Sequence, residues 1–127
     1  MGASKRLPRA VVEEVRTRKI FGIRAGLGPH RFLALWAVAV GDRVFLRTWN
    51  DKPTGWFRAF AIDGRGVFQI PSGREIPIRV RRAGGARLLD AIDAAYAEKY
   101  NTPGSRKFVR GFATPRRRVK TLELLRR

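Results

Sequence analysis

Two apolar runs joined by a two-residue turn constrain this chain more than any other feature. Arg31 to Val40 reads RFLALWAVAV, an unbroken stretch of strand length that stops at Gly41-Asp42. Arg43 to Trp49, RVFLRTW, follows at once. A Gly-containing two-residue connection between such runs signals a tight antiparallel hairpin, because turns with positive φ match the twist of the flanking strands. The first run shows no polar alternation, which predicts a central strand covered on both faces. An antiparallel sheet built outward from this hairpin is the expected frame.

Further short strands lie on either side. Thr17 to Arg24 reads as a strand, and Ala25 to His30, AGLGPH, as a turn rich in Gly and Pro. Val67 to Ile70 and Glu75 to Arg82 flank a tight turn, Pro71 to Arg74. In the second of these, Ile76, Ile78 and Val80 alternate with Arg79 and Arg81, which marks one wet face, and Pro77 predicts an edge position. Val119 to Arg126 is a final strand with Leu122 and Leu124 on one face. Helical patterns are fewer. Pro8 to Val15 is a short N-terminal helix, and Trp56 to Phe60 makes one or two turns. Ala86 to Tyr100 is the main helix, with Leu88, Leu89, Ile92, Tyr96 and Tyr100 on one stripe. Ser105 to Arg118 reads as irregular and basic. The sum is an α+β fold: a small, mostly antiparallel β-barrel with one main C-terminal helix and a short N-terminal helix. The 127 residues are expected to form one domain, residues 1–11 being a flexible basic N-terminus.

Composition removes several kinds of chemistry. There is no cysteine, so disulfides, zinc–thiolate sites and cysteine nucleophiles are excluded. A single histidine, His30, leaves no cluster for a transition metal, and no metal site is expected. No apolar run approaches the roughly 20 residues that cross a bilayer. The basic start has no apolar core behind it, so no signal peptide is expected and a cytoplasmic location is the default. Gly2 after Met1 invites myristoylation, but Arg6 stands where that pattern wants Ser or Thr. The net charge is +18, from 28 Lys+Arg against 10 Asp+Glu. Residues 1–31 carry +6, residues 32–102 carry +4 and residues 103–127 carry +8, so the two ends hold most of the field. Such a field attracts polyanions whether or not binding them is the function.

Most catalytic patterns fail. Ser4, Ser72 and Ser105 lie in terminal or turn contexts, and His30 lies in a Gly-Pro turn, so no Ser-His-Asp arrangement has support. Asp90 and Asp93 read as a solvated helix face, and Tyr96 and Tyr100 as core. Gly26-x-Gly28 is too short for a phosphate-binding fingerprint. One cluster survives. Arg47, Trp49, Lys52, Trp56 and Arg58 lie within a dozen residues at a strand end and its loop. Guanidinium and ammonium groups grip anionic oxygens, and indoles cover a ring or a guanidinium face. Strand-end loops on a rigid sheet are where ligand groups usually sit. The competing structural reading packs the tryptophans over a barrel mouth. It leaves the cations solvated or paired with Asp51 and Asp63.

The run WAVAVGDRVFLRTWNDKPTGWFRAF, the Gly-turn strand pair, DAIDAAYAEKY and a basic tail ending in TLELL resemble domain-of-unknown-function family 2255. The resemblance covers about residues 12–126. It implies a split barrel of the pyridoxamine-phosphate-oxidase type, an architecture shared with deazaflavin-dependent nitroreductases. Such barrels are usually dimers with a flavin in a groove between subunits. Carried over by position, Arg47, Lys52 and Arg58 become phosphate ligands, and Trp49 and Trp56 flank the ring. The expected function is therefore flavin or deazaflavin binding for redox chemistry by a homodimer. The alternative is sequence-indifferent nucleic-acid binding through the basic termini, Arg116, Arg117 and Arg118 included. A third reading is a cofactor-free barrel with an interaction role.

Overall fold

The computed structural model describes residues 5–127; Gly2 and Ser4, with the readings attached to them, lie outside the described residues. The elements are α1 (Arg9–Thr17), β1 (Phe21–Ala25), β2 (Leu33–Leu35), β3 (Ala37–Val40), β4 (Arg43–Arg47) and α2 (Trp56–Ile62). They continue with β5 (Arg65–Gln69), β6 (Glu75–Arg82), α3 (Ala86–Lys99), α4 (Arg106–Phe112), α5 (Pro115–Arg118) and β7 (Thr121–Arg126). The seven strands form one antiparallel sheet in the order β2-β1-β5-β6-β7-β4-β3, curled into a nearly closed barrel. The expected α+β antiparallel barrel is the fold observed.

The β3–β4 hairpin forms where expected, with Val40 opposite Arg43 and Gly41 at φ 62°. The run before it does not form one central strand. Residues 33–35 pair with β1 at one end of the sheet, whereas residues 37–40 pair with β4 at the other. The chain therefore turns a corner at Trp36 and joins the two ends of the sheet. Backbone groups freed at a strand break must find partners. Here α3 supplies them: the Tyr96 hydroxyl donates to the Trp36 carbonyl (3.3 Å), and the Ala37 N–H donates to the Tyr100 oxygen (3.1 Å). Lys99 donates to the Ala37 carbonyl as well. The YAEKY segment is thus the clamp on the barrel's corner.

Alternation along each strand sends one face inward. Ile23, Val44, Leu46, Phe68, Ile76, Ile78, Leu122 and Leu124 fill the barrel, closed off by Val11 and Val15 of α1 and by Phe57 and Phe60 of α2. Gly66 is required by this packing, since a Cβ there would lie 2.4 Å from the Arg24 carbonyl and 2.8 Å from the Phe60 ring. A second cluster lies outside the barrel, where Val38 and Phe45 meet Leu89, Ile92, Tyr96 and Tyr100 of α3 and Phe112 of α4.

Four expectations need correction. Residues 7–11 are not a flexible arm, because Leu7 and Val11 are buried and Arg9 opens α1. The residues from Thr17 to Ile20 do not begin β1; α1 runs on to Thr17. Pro77 is not on an edge strand, since β6 lies between β5 and β7. Its carbonyl accepts from the Arg127 N–H, so its nitrogen faces the same side, just beyond the end of β7, and the pairing with β5 is left intact. The stretch Ser105 to Arg118 is helical rather than irregular, forming α4 and then α5 with Pro115 at its start.

Candidate functional site

Along β4, Val44 and Leu46 point into the barrel, so Phe45 and Arg47 point out toward α3 and α4. That alternation buries an arginine. The Arg47 side chain is fully enclosed. Its Nη1 donates to the Asp93 carboxylate (2.6 Å) and the Phe112 carbonyl (2.9 Å), and its Nε donates to the Thr121 hydroxyl (2.8 Å). The Tyr96 ring lies 5.6 Å from the guanidinium carbon. Asp93 is held in turn by Arg118 (3.1 Å), so the guanidinium is fixed from two sides. Its Nη2 has no hydrogen-bond partner, a state shared among the described buried side chains only by Arg24 Nε. An unpaired buried donor costs about 1–3 kcal/mol, more when charged.

Arg47 lines a groove of about 470 Å³, beside Trp36, Trp49, Trp56, Lys52 and Phe112. All three tryptophans of the chain meet there. Each is seated differently. Trp36 stacks on Tyr100, ring centres 4.2 Å apart and 9° from parallel. Trp49 meets Phe108 and Phe112 edge-on, at 5.3 and 5.5 Å. The Arg117 guanidinium lies 3.8 Å from the Trp49 ring centre and donates from Nε to the Trp49 carbonyl (3.0 Å). Gly111 makes this seat possible, because a Cβ there would stand 2.4 Å from the indole. Trp56 opens α2 and leans edge-on against Phe57 and Phe60.

The structure therefore brings together four of the five residues singled out in the sequence: Arg47, Trp49, Lys52 and Trp56. Arg58 does not join them. It grips Asp51 with two bonds (2.8 and 3.1 Å), and Lys120 approaches the same carboxylate (2.7 Å). The Arg58 bond, and then that of Lys120, hold the Asp51 carboxyl far below the usual carboxylate range. Asp63 pairs with Arg65 and takes none of the three cations. Asp90 and Asp93 are not a freely solvated face, since both bind Arg118 and Asp93 also binds Arg47. Trp36 and Phe112 escaped the sequence reading, and Arg117 entered it only as a candidate nucleic-acid contact. The Phe108-x-x-x-Phe112 spacing was the available signal, two aromatics on one helical face within a basic stretch.

The corner clamp beneath the groove is also charged. Lys99 reaches the Val15 and Ala37 carbonyls and lies 4.6 Å from the Phe21 ring centre and 4.9 Å from that of Tyr100. Burial, helped by the neighbouring charge of Lys19, pushes its amine down to about 7. Burial pushes the Tyr96 and Tyr100 hydroxyls up. Among the described residues no group of three or more His, Asp or Glu is placed to hold a metal ion. No described helix is long and apolar enough to cross a membrane.

Residues 12–124 match the family described as "Uncharacterized protein conserved in bacteria (DUF2255)". The chain belongs to this family. Two solved structures resemble the DUF2255 barrel described here. The conserved hypothetical protein Rv2991 from Mycobacterium tuberculosis superposes with a TM-score of 0.62 at 15% identity, over 97% of this chain and 81% of that one. A heme binding protein from Mycobacterium smegmatis superposes with a TM-score of 0.52 at 18% identity, over 94% of this chain. This chain spans 52% of that protein's length. At such identities the likeness is one of fold. No protein of curated function matches the chain.

Proposed function

We propose that this DUF2255 protein binds a planar anionic ligand of the flavin or deazaflavin type in the tryptophan groove. The observation that carries the reading is Arg47 Nη2: a fixed, buried, unpaired cationic donor on a residue that lines a groove with three indoles. A ring carbonyl or ring anion of a flavin would satisfy that donor once the side chains that enclose it shift, while the indoles would cover the apolar faces of the ring. Lys52, exposed at the lip, adds a second cation. When bound, the ring system would supply hydride or electron transfer. The chain's own part is to orient the ring, shield it from water and stabilise negative charge on it. The neighbour described as heme binding shares the barrel, and a haem is another planar anion, so it belongs among the probes.

The same reading carries a cytoplasmic homodimer. The groove wall formed by β2 exposes Leu33, 40% accessible, at the side where a second copy would cover the ring. Light scattering at micromolar concentration should give twice the chain mass; a monomer would mean that one chain alone forms the groove. Nucleic-acid binding through the basic tail has less support. Arg118 is tied to Asp90 and Asp93 and is not a free phosphate contact, and Arg117 is held against Trp49 rather than projecting from the tail.

The test is direct. Freshly purified protein should show flavin or deazaflavin absorbance, or take up riboflavin in equilibrium dialysis. Protein that is colourless and takes up neither riboflavin nor a deazaflavin refutes the reading. Uptake of haemin alone would keep the groove and change the ligand.

A further inference from the structure

A second cavity, of about 340 Å³, shares a wall with the groove. Thr48, Trp49 and Asn50 line both. Its other walls are of opposite character to the groove's: Arg58, Arg116, Arg117 and Lys120 surround a single acid, Asp51, a balance of +3. Gathering like charges is unfavourable unless something offsets their repulsion. Asp51 offsets part of it by binding Arg58 and Lys120 together. Its carboxylate also aims those two cations at one point. Arg117 is fixed by stacking on Trp49, and its two Nη groups make no hydrogen bond to another described residue. Arg116 is exposed, and no ion pair or side-chain hydrogen bond joins it to another described residue. Two cations are thus held together on Asp51 and two have donors to spare.

Resting on the ring-binding reading above, we infer that this cavity is the subsite for the phosphate or diphosphate group of the same ligand. A phosphate monoester carries about −1.5 to −2 charge and three strong acceptor oxygens, which the spare donors of Arg116 and Arg117 match. The shared wall sets the arrangement: Trp49 lines both cavities and has Arg117 stacked on its ring. A ligand with its ring among the tryptophans reaches the cationic cavity past Trp49 and Asn50. The ligand class is therefore a phosphorylated ring compound rather than a bare ring. The chain after Pro115, far from Arg47 in sequence, supplies the phosphate contacts.

Three probes separate the two proposals: riboflavin for the ring alone, flavin mononucleotide for ring plus phosphate, and inorganic pyrophosphate for the cavity alone. Binding is read by tryptophan fluorescence and equilibrium dialysis at one fixed, moderate salt concentration. The wild-type protein should bind flavin mononucleotide about tenfold or more tighter than riboflavin. Pyrophosphate should perturb Trp49 emission saturably. Arg58→Ala with Arg116→Ala, both exposed positions, should bring the two flavin affinities together, leave riboflavin unchanged and abolish the pyrophosphate response. Arg74→Ala, in the β5–β6 turn outside both cavities, should change none of these. Equal wild-type affinities for the two flavins overturn the inference while the ring reading stands. So does an equal loss in Arg74→Ala, which would reduce the effect to the diffuse +18 field. If neither flavin binds, the ring reading fails and pyrophosphate decides the cavity. A saturable response lost in the double variant upholds an anion site; no response overturns it.

Discussion

The two hydrophobic clusters of this small protein differ in what they contain. The cluster inside the barrel is dominated by aliphatic side chains and phenylalanine, drawn from strands all around the sheet and from α1 and α2, and it encloses no charged group. The cluster outside, between β3–β4 and α3–α4, is aromatic and polar-edged. It holds two tyrosine hydroxyls and the flanking Trp36 and Trp49, with Arg47 bound among them and Lys99 beside them. A core meant only to stabilise gains nothing from a buried arginine with an unsatisfied donor. The inner cluster builds the barrel; the outer one carries a buried arginine with an unpaired donor beside a groove.

The comparison breaks first at the inner cluster. Phe68→Ala, fully buried among barrel residues, should cost about 3–5 kcal/mol in urea unfolding, the range for removing a core phenylalanine. A loss under about 1 kcal/mol would mean that the barrel interior is loosely packed. Arg47→Met comes next. Removing one member of a buried pair costs about 3–5 kcal/mol. The low end, about 3 kcal/mol, is expected here because Asp93 keeps Arg118 and remains 23% accessible. Ring binding should fall at the same time. If Arg47→Met is more stable than wild type and binds as well, the groove does not depend on that donor.

Tyr100→Phe probes the corner clamp. It removes the acceptor for the Ala37 N–H and the donor to the Lys19 and Ala37 carbonyls, while keeping the ring that supports Trp36. About 1–2 kcal/mol should be lost. A neutral result would assign the clamp to Tyr96 and Lys99 alone.

The last effect is a slope. The Lys99 amine titrates near 7 in the folded chain and near 10.5 when unfolded. The unfolded chain therefore binds that proton more tightly. Below pH 7 both states hold it, and burying the charge counts fully against the fold. Between pH 7 and about 10.5 the folded state has released it and the unfolded state has not, so stability rises with pH. Wild-type stability should rise more steeply across that window than that of Lys99→Met, measured by urea midpoints. Parallel profiles would mean that the two carbonyls keep Lys99 charged.

Local patterns made much of the fold legible. The β3–β4 hairpin, β6 and α3 each carry their signal within a few residues: a Gly-Asp turn, an Ile-Arg alternation and a leucine–tyrosine stripe. The corner at Trp36 was not legible, because LALWAVAV has no polar break and the change of partner from β1 to β4 is a property of the closed sheet. Helices α4 and α5 were masked by six cations in thirteen residues, 106–118, and by their shortness. At the site, Trp49, Lys52 and Trp56 were legible as neighbours in one loop. Arg47 was legible as a member, but not as a buried group, because burial of its flank depends on α3 and α4 folding over it. Arg58 stays out of the tryptophan groove for a simple reason: Asp51, seven residues away, reaches it first.

The central claim is that the outer cluster is a ring-binding groove, and riboflavin titration of tryptophan fluorescence tests it most directly. All three indoles line the groove, so ring binding should quench most of the emission with a saturable curve. Trp56→Ala, which removes one wall, should weaken binding; it should also lower the urea midpoint, because Trp56 packs against Phe57 and Phe60 at the edge of the inner cluster. Emission that falls only in proportion to riboflavin's own absorbance, with no saturation and no difference between wild type and Trp56→Ala, would contradict the account.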